Sequence, residues 1–187
     1  KPDHKLEPNK VIHIWERCKS RERQAQSELY QYFSPKMYAL CLRYARDQDE
    51  AADILQNGFI KVFNKCELYE GKGSLEGWIR RVMVNTAIES HRKNKVHFLS
   101  TDELSGKELE QAGTFSLNHL DYKDLLALIK KLPMGYRTVF NLYAIEGYNH
   151  KEIADMLDIS EGSSKSQLSR ARVWLKERIQ KMEELGI

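Results

Sequence analysis

No stretch of this sequence is apolar for long enough to span a membrane, and no secretory leader pattern occurs. The expectation is a cytoplasmic chain without membrane insertion. Cysteine is scarce: Cys18, Cys41 and Cys66 are the only three in 187 residues. The number is odd and no CxxC is present, which sets aside a disulfide framework and a thiolate zinc site. Cys41 and Cys66 fall on the apolar stripes of expected helices and read as buried thiols. The six histidines show no metal-ligand spacing. A glycine-rich phosphate loop is missing, and no base is paired with a nucleophile. Cys41, or the carboxylates Asp49, Glu50 and Asp53, would therefore lack the partners catalysis needs. The chain is expected to be no enzyme and to hold no metal and no cofactor. Strand-type alternation is absent as well, which argues against a βαβ receiver domain.

What is present is charge and helical periodicity. Hydrophobic residues make up 41% of the chain, enough for a core, and charged residues 30%. The net charge is only +3, but its distribution is uneven. Between residues 80 and 95, Arg80, Arg81, Arg92, Lys93 and Lys95 face the single acid Glu89. Between 161 and 181, Lys165, Arg170, Arg172, Lys176, Arg178 and Lys181 face Glu161 and Glu177. Residues 47–57 are the opposite, with Asp47, Asp49, Glu50 and Asp53 and no basic residue. Separate acidic and basic segments point to several partner surfaces.

The periodicity predicts an all-α protein. Helices are expected over 11–23 and 27–33. Ser34-Pro35 then reads as an N-cap followed by proline at the first position of a new helix, with Met37, Leu40, Cys41 and Tyr44 on one face. The next helix covers 49–66 and buries Ile54, Leu55, Phe59, Val62, Phe63 and Cys66. Asp49, Asp53, Asn57 and Lys61 form a polar stripe on another side, beside Gln56. A glycine turn at 70–73 leads to Ser74, the cap of a helix reaching about residue 94. Leu75, Trp78, Ile79, Val82 and Thr86 share its apolar side, where Trp78 reads as core rather than as a base-stacking surface. Residues 96–120 are acidic and rich in Ser, Thr and Gly, and read as a linker. Beyond it come helices over 121–132 and from Pro133 to about 146, with Gly147 as a stop signal. Asn149 and Glu152 have the spacing of a capping box for a helix over 150–157. Ser160 caps a last helix ending near 184. Two helical domains are expected, 1–95 and 121–187, with the linker between.

The stretch NHKEIADMLDISEGSSKSQLSRAR, residues 149–172, has the pattern of a helix-turn-helix. Ile153, Ala154 and Leu157 supply the inner face of the first helix, and Ile159 fills the joint. At about 100° per residue, Leu168, Ala171 and Leu175 point inward on the second, together with Ser164. A hydroxyl there requires a nearby carbonyl as partner. Ser163, Ser166 and Arg170 point outward, with Gln167 and Ser169 on either side. Hydroxyls, an amide and an arginine suit base edges in a major groove. Lys165 and Arg172 flank the stripe within reach of phosphates. The plain alternative is a solvated helix face.

Taken together, the motifs resemble a known family. KEIADMLDISEGSSKSQLSRARVWLKERI resembles region four of the extracytoplasmic-function (ECF) sigma factors of bacterial RNA polymerase. DEAADILQNGFIKVFNK and YEGKGSLEGWIRRVMVNTAIESHRKNK resemble their region two. The resemblance covers about residues 27–95 and 121–179, in the family's order. It implies a sigma factor that binds core RNA polymerase and directs promoter-specific initiation. Its partners would be the clamp of the largest subunit, the flap of the second subunit, promoter DNA and an anti-sigma factor. Asp49, Asp53, Gln56, Asn57 and Lys61 match the clamp-binding face. Tyr69, Lys72, Ser74, Arg80, Arg81, Asn85, Arg92 and Lys93 match the part that melts and holds the minus-ten element. Lys165, Ser166, Ser169 and Arg170 match the readers of the minus-thirty-five element, and Gln167 stands where many members have arginine. The rival reading is a helix-turn-helix regulator that is not a polymerase subunit.

Overall fold

The computed structural model describes residues 8–93 and 122–185, and every regular element among them is helical. The acidic stretch 96–120 lies outside the described residues. The chain divides after Ser90 into two compact units.

The N-terminal unit is built from four helices. Helix α1, Pro8–Lys19, begins on a proline, whose missing N–H costs nothing at a helix start. Val11, Ile14, Trp15 and Cys18 form its buried stripe. It stops earlier than the expected residue 23. Arg21 takes a left-handed conformation, φ 59°, and its N–H returns to the Cys18 carbonyl at 2.9 Å. Arg17 then ties the joint together, donating from Nε to Glu22 at 2.8 Å.

Helix α2 runs unbroken over Arg23–Tyr44 with Pro35 inside it. The expected break at Ser34-Pro35 does not occur. Leu29, Phe33, Met37, Leu40, Cys41 and Tyr44 all lie on one buried stripe that crosses the proline. An interior proline costs roughly 3 kcal/mol. Each large apolar side chain buried beyond it contributes about 1.5–3 kcal/mol. Four such residues outweigh the lost bond, and Pro35 itself faces solvent.

Asp47 caps α3, Gln48–Asn64, by accepting from the Glu50 N–H at 2.8 Å. A 3₁₀ turn, Cys66–Leu68, follows, so the helix ends short of the expected residue 66. Phe63, expected inside, is half-buried. Helix α4 spans Leu75–Lys93 and is capped as expected by Ser74, which accepts from the Gly77 N–H at 3.0 Å. Where α3 meets α4, Gly58 lies directly against Met83. A Cβ at Gly58 would stand 2.2 Å from the Met83 sulfur, and Met83 is fully buried. Overpacking of this kind costs about 1–3 kcal/mol, whereas glycine-to-alanine in a helix returns about 1 kcal/mol. Gly58→Ala is therefore expected to lower stability by about 1 kcal/mol net, seen as a lower urea midpoint. An unchanged midpoint would mean that Met83 swings aside without cost.

The C-terminal unit contains α5, Tyr122–Lys131, α6, Met134–Phe140, α7, His150–Leu157, and α8, Glu161–Leu185. Its core joins Leu128 and Ile129 of α5, and Leu132 just beyond, to Ala171, Leu175 and Ile179 of α8. A π-turn, Asn141–Ile145, extends α6, and Gly147, φ 81°, releases the chain. Buried Arg137 fastens α6 to the end of α5 by donating to the Lys130 carbonyl at 3.0 Å. All three cysteines are free and buried. Burial pushes the Cys41 thiol up to about 12. It is a thiol, not the thiolate a nucleophile requires.

Candidate nucleic-acid interface

The helix-turn-helix is assembled by local hydrogen bonds visible in its sequence. Asn149 accepts from the Glu152 N–H at 2.9 Å, and Glu152 accepts from the Asn149 N–H at 2.8 Å. This reciprocal box starts α7. Asp158, φ 57°, ends it in a left-handed cap, and the Ile159 N–H returns to the Ala154 carbonyl at 3.1 Å. Ser160 opens α8 by accepting from the Ser163 N–H at 3.0 Å. Ile153, Ala154 and Leu157 are buried on α7, and Leu168, Ala171 and Leu175 on α8.

The outer face of α8 is narrower than expected. Lys165 is exposed, while Ser163, Ser166, Arg170 and Arg172 are half-buried. Arg170 donates to the Tyr136 hydroxyl at 3.3 Å, which orients its guanidinium. Arg172 lies over the Tyr143 ring at 5.7 Å. Gln167 and Ser169 are buried, which in this structure removes both from the expected reading surface. Gln167 sits within a quarter-turn of the apolar stripe, close enough for a long side chain to fold under. Ser169 is short, and its neighbours one turn away, Lys165 and Arg172, carry stems long enough to cover it.

Ser164 faces inward as expected, but its partner differs. The Oγ lies 2.9 Å from His150 Nδ1, an imidazole at the start of α7, not a carbonyl. His150 in turn stacks on Tyr143 at 4.7 Å. One chain of contacts thus runs from Arg172 through Tyr143 and His150 to Ser164.

In the N-terminal unit, Asp49, Asp53, Gln56 and Asn57 line the exposed side of α3. Lys61, at the end of that stripe, donates to Glu89 of α4, so its charge is matched internally. Glu50 turns away from Asp49 and Asp53. It is buried and accepts from the Arg46 backbone at 2.7 Å, so the three carboxylates form no shared site. Ile60, 56% exposed beside Asn57, went unnoticed in the periodicity because it alternates with buried neighbours. On α4, Arg81, Asn85 and Arg92 are exposed and Arg80 is half-buried. Lys93 ends the helix, and its side chain lies outside the described residues. The loop before α4 places Tyr69 half-buried and Lys72 and Ser74 exposed. Trp78 packs against Trp15 and Tyr69, consistent with its core assignment.

Two families match this architecture: Sigma-70 region 2 over residues 29–96, and Sigma-70, region 4 over residues 122–175. The ECF RNA polymerase sigma factor SigM of Bacillus subtilis is 30% identical over 150 residues, 80% of this chain and 91% of that protein. The RNA polymerase sigma-E factor of Streptomyces coelicolor is 31% identical over 156 residues, covering 81% of this chain and 86% of that one. The chain belongs to the ECF sigma factors. Among solved structures, the sigma factor RpoE in complex with the anti-sigma factor NepR from Bartonella quintana shares the fold. Its TM-score is 0.51 at 19% identity, over 82% of this chain and 96% of that one. As a sigma factor, the protein acts with RNA polymerase to direct promoter-specific transcription.

The His150–Ser164 contact gives this sigma factor's helix-turn-helix a dependence on pH. Burial first, and then the positive charges of Lys165 and Arg172, hold the His150 imidazole below its ordinary range; Glu161 opposes them. Above about pH 6.5 the ring is neutral in folded and unfolded chains alike, and contributes no pH dependence. As pH falls from about 6.5 to the depressed native value, the unfolded chain takes up the proton first, and stability is lost. Thermal unfolding between pH 7.5 and 5 is expected to show this decline, and His150→Gln to flatten it. An identical slope in the variant would assign the decline to other groups.

Proposed function

We propose that residues 1–95 act as the region that docks on polymerase and opens the minus-ten element, and residues 121–187 as the reader of the minus-thirty-five element. The observation that carries this reading is the separation of two chemistries in a chain with both sigma-70 matches. An acidic, exposed stripe on α3 lies in one unit, and a capped helix-turn-helix with a cationic outer edge in the other.

Asp49, Asp53, Gln56 and Asn57 meet the clamp of the largest subunit, where carboxylates and amides suit a basic helix. Lys61 holds the end of that stripe through Glu89 and is not itself a contact. Arg80, Arg81, Asn85, Arg92 and Lys93 follow the backbone of the melted strand. The loop from Tyr69 through Lys72 to Ser74 borders a pocket for an unstacked base. On α8, Ser163, Lys165, Ser166, Arg170 and Arg172 form the surface for the upstream element, and the C-terminal unit meets the flap of the second subunit. The site of action is the cytoplasm, and an anti-sigma factor is a further partner.

Run-off transcription tests the proposal. Core polymerase from the source organism is combined with this protein and fragmented genomic DNA, and RNA starts are sequenced. Starts sharing two spaced upstream motifs are the expected result. Polymerase binding without starts would mean that another factor must recruit the holoenzyme. Neither starts nor polymerase binding would favour a helix-turn-helix regulator that is no polymerase subunit.

A further inference from the structure

Three aromatic rings from separate parts of the N-terminal unit meet beside the loop 69–74. Trp15 comes from α1, Tyr69 from the head of the loop, and Trp78 from the first turn of α4. Their centroids lie 5.9 Å (Trp15–Tyr69), 5.6 Å (Trp15–Trp78) and 5.8 Å (Tyr69–Trp78) apart, in edge-on or tilted contact. The Tyr69 hydroxyl donates to the Gly73 carbonyl at 2.8 Å and closes the loop on itself. Gly71 and Gly73 hold φ of 76° and 77°, a region in which glycine is at ease, so the intervening chain has little intrinsic stiffness. The charged side chains in between, Glu70 and Lys72, pair only with each other in solvent. What gives the loop a defined place is therefore the ring of Tyr69 and the surface it rests on.

Most of that surface belongs to Trp15, which is 2% exposed. The match to Sigma-70 region 2 begins at residue 29, so α1 lies wholly before it. Core filling is a weak account of a tryptophan here. Its Nε1–H finds no acceptor among the described residues, and a phenylalanine would avoid leaving that buried donor unpaired. A large ring in contact with both the loop's first residue and the helix that follows the loop is suited to fixing the loop's distance from α4.

We infer that Trp15 is a positioning residue for the 69–74 loop, which makes α1 a working part of the apparatus that holds an unstacked base of the melted strand. The inference rests on the role proposed above for that loop. Trp15 does not touch the nucleic acid; it acts through Tyr69 and Trp78.

The test uses full-length protein in holoenzyme with the source organism's core polymerase. Fork-junction promoter templates carry each of the four bases at successive melted positions, and the bound fraction is measured for each. Trp15→Leu is expected to reduce the preference for the best base at one position by about tenfold, the scale of a single base–aromatic contact. Affinity for core polymerase and for upstream duplex should stay within about twofold. A merely structural role would lower the thermal midpoint and all affinities together and leave the ratio between bases unmoved. Tyr69→Ala separates the two layers of the argument. If Tyr69→Ala flattens the preference and Trp15→Leu does not, Trp15 has no positioning role and the loop assignment stands. If neither alters it, the loop assignment falls and the role of Trp15 falls with it. Should Trp15→Leu lose its helical circular dichroism, Trp15→Phe replaces it. That variant is expected to keep the fold with a partial loss of preference, and an unchanged preference in it overturns the inference.

Discussion

Arg170→Ala is expected to weaken holoenzyme binding to promoters carrying the upstream element by about 10- to 100-fold, with binding to fragments lacking that element unchanged. The magnitude is that of one arginine contact to a base edge, about 1–3 kcal/mol. Two features favour the upper part of the range. The guanidinium is already oriented by the Tyr136 hydroxyl at 3.3 Å, so little side-chain freedom remains to be lost on binding. Arg170 also lies in the third turn of α8, along the side opposite Leu168, Ala171 and Leu175, where a groove-seated helix meets bases. Lysine cannot reproduce a bidentate fork, so Arg170→Lys should restore little. Lys165→Ala should behave differently, weakening all sequences alike and lowering the salt slope by about one. Fluorescence anisotropy of labelled promoter fragments over a salt series separates the two. An Arg170→Ala protein that still distinguishes promoters with and without the upstream element would remove α8 as the reader.

Charge reversal on α3 should have the larger effect. Asp49 and Asp53 are exposed and one turn apart, and the cation at the end of their stripe, Lys61, is occupied by Glu89. A basic partner therefore meets two uncompensated carboxylates. Placing like charges against each other costs several kcal/mol, so Asp49→Lys with Asp53→Lys should reduce affinity for core polymerase by at least about 100-fold. Asp49 also lies in the first turn of α3, where a negative charge favours the helix by about 0.3–1 kcal/mol. Asp53→Lys alone, one turn further on, avoids that contribution and should still weaken binding markedly. Surface plasmon resonance on immobilised core polymerase reads the loss, and circular dichroism checks the fold. Undiminished binding by the double variant would move the docking face away from α3, with Ile60 and its aromatic neighbours as the next surface to alter.

Much of the fold was legible because its signals are local. A capping box needs only Asn149 and Glu152 at the right spacing, and the Ser74 and Ser160 caps need only one hydroxyl before a helix start. Their backbone partners lie three residues away, so the sequence already contains both ends of each bond. The inner faces of α7 and α8 followed from the 3.6-residue period for the same reason. Where competing energies had to be compared, the local signals misled. Ser34-Pro35 has the form of a helix start, yet the buried stripe from Leu29 to Tyr44 continues through it. Phe63 and the joint at Arg21 also depend on what packs against them.

Within the candidate interface, the sequence determined which residue types share α8 and α3 and that the two surfaces differ in charge. Helical rotation is a property of the backbone, and side-chain order along it is written in the chain. The tertiary structure alone decided which of those residues remain available. It buried Gln167 and Ser169, matched Lys61 with Glu89 from 28 residues away, gave Ser164 a histidine partner 14 residues away, and set Trp15 beside Tyr69. Each depends on a contact between elements distant in the chain. Side-chain periodicity states the direction a residue faces, and only the packed neighbour states what it meets there.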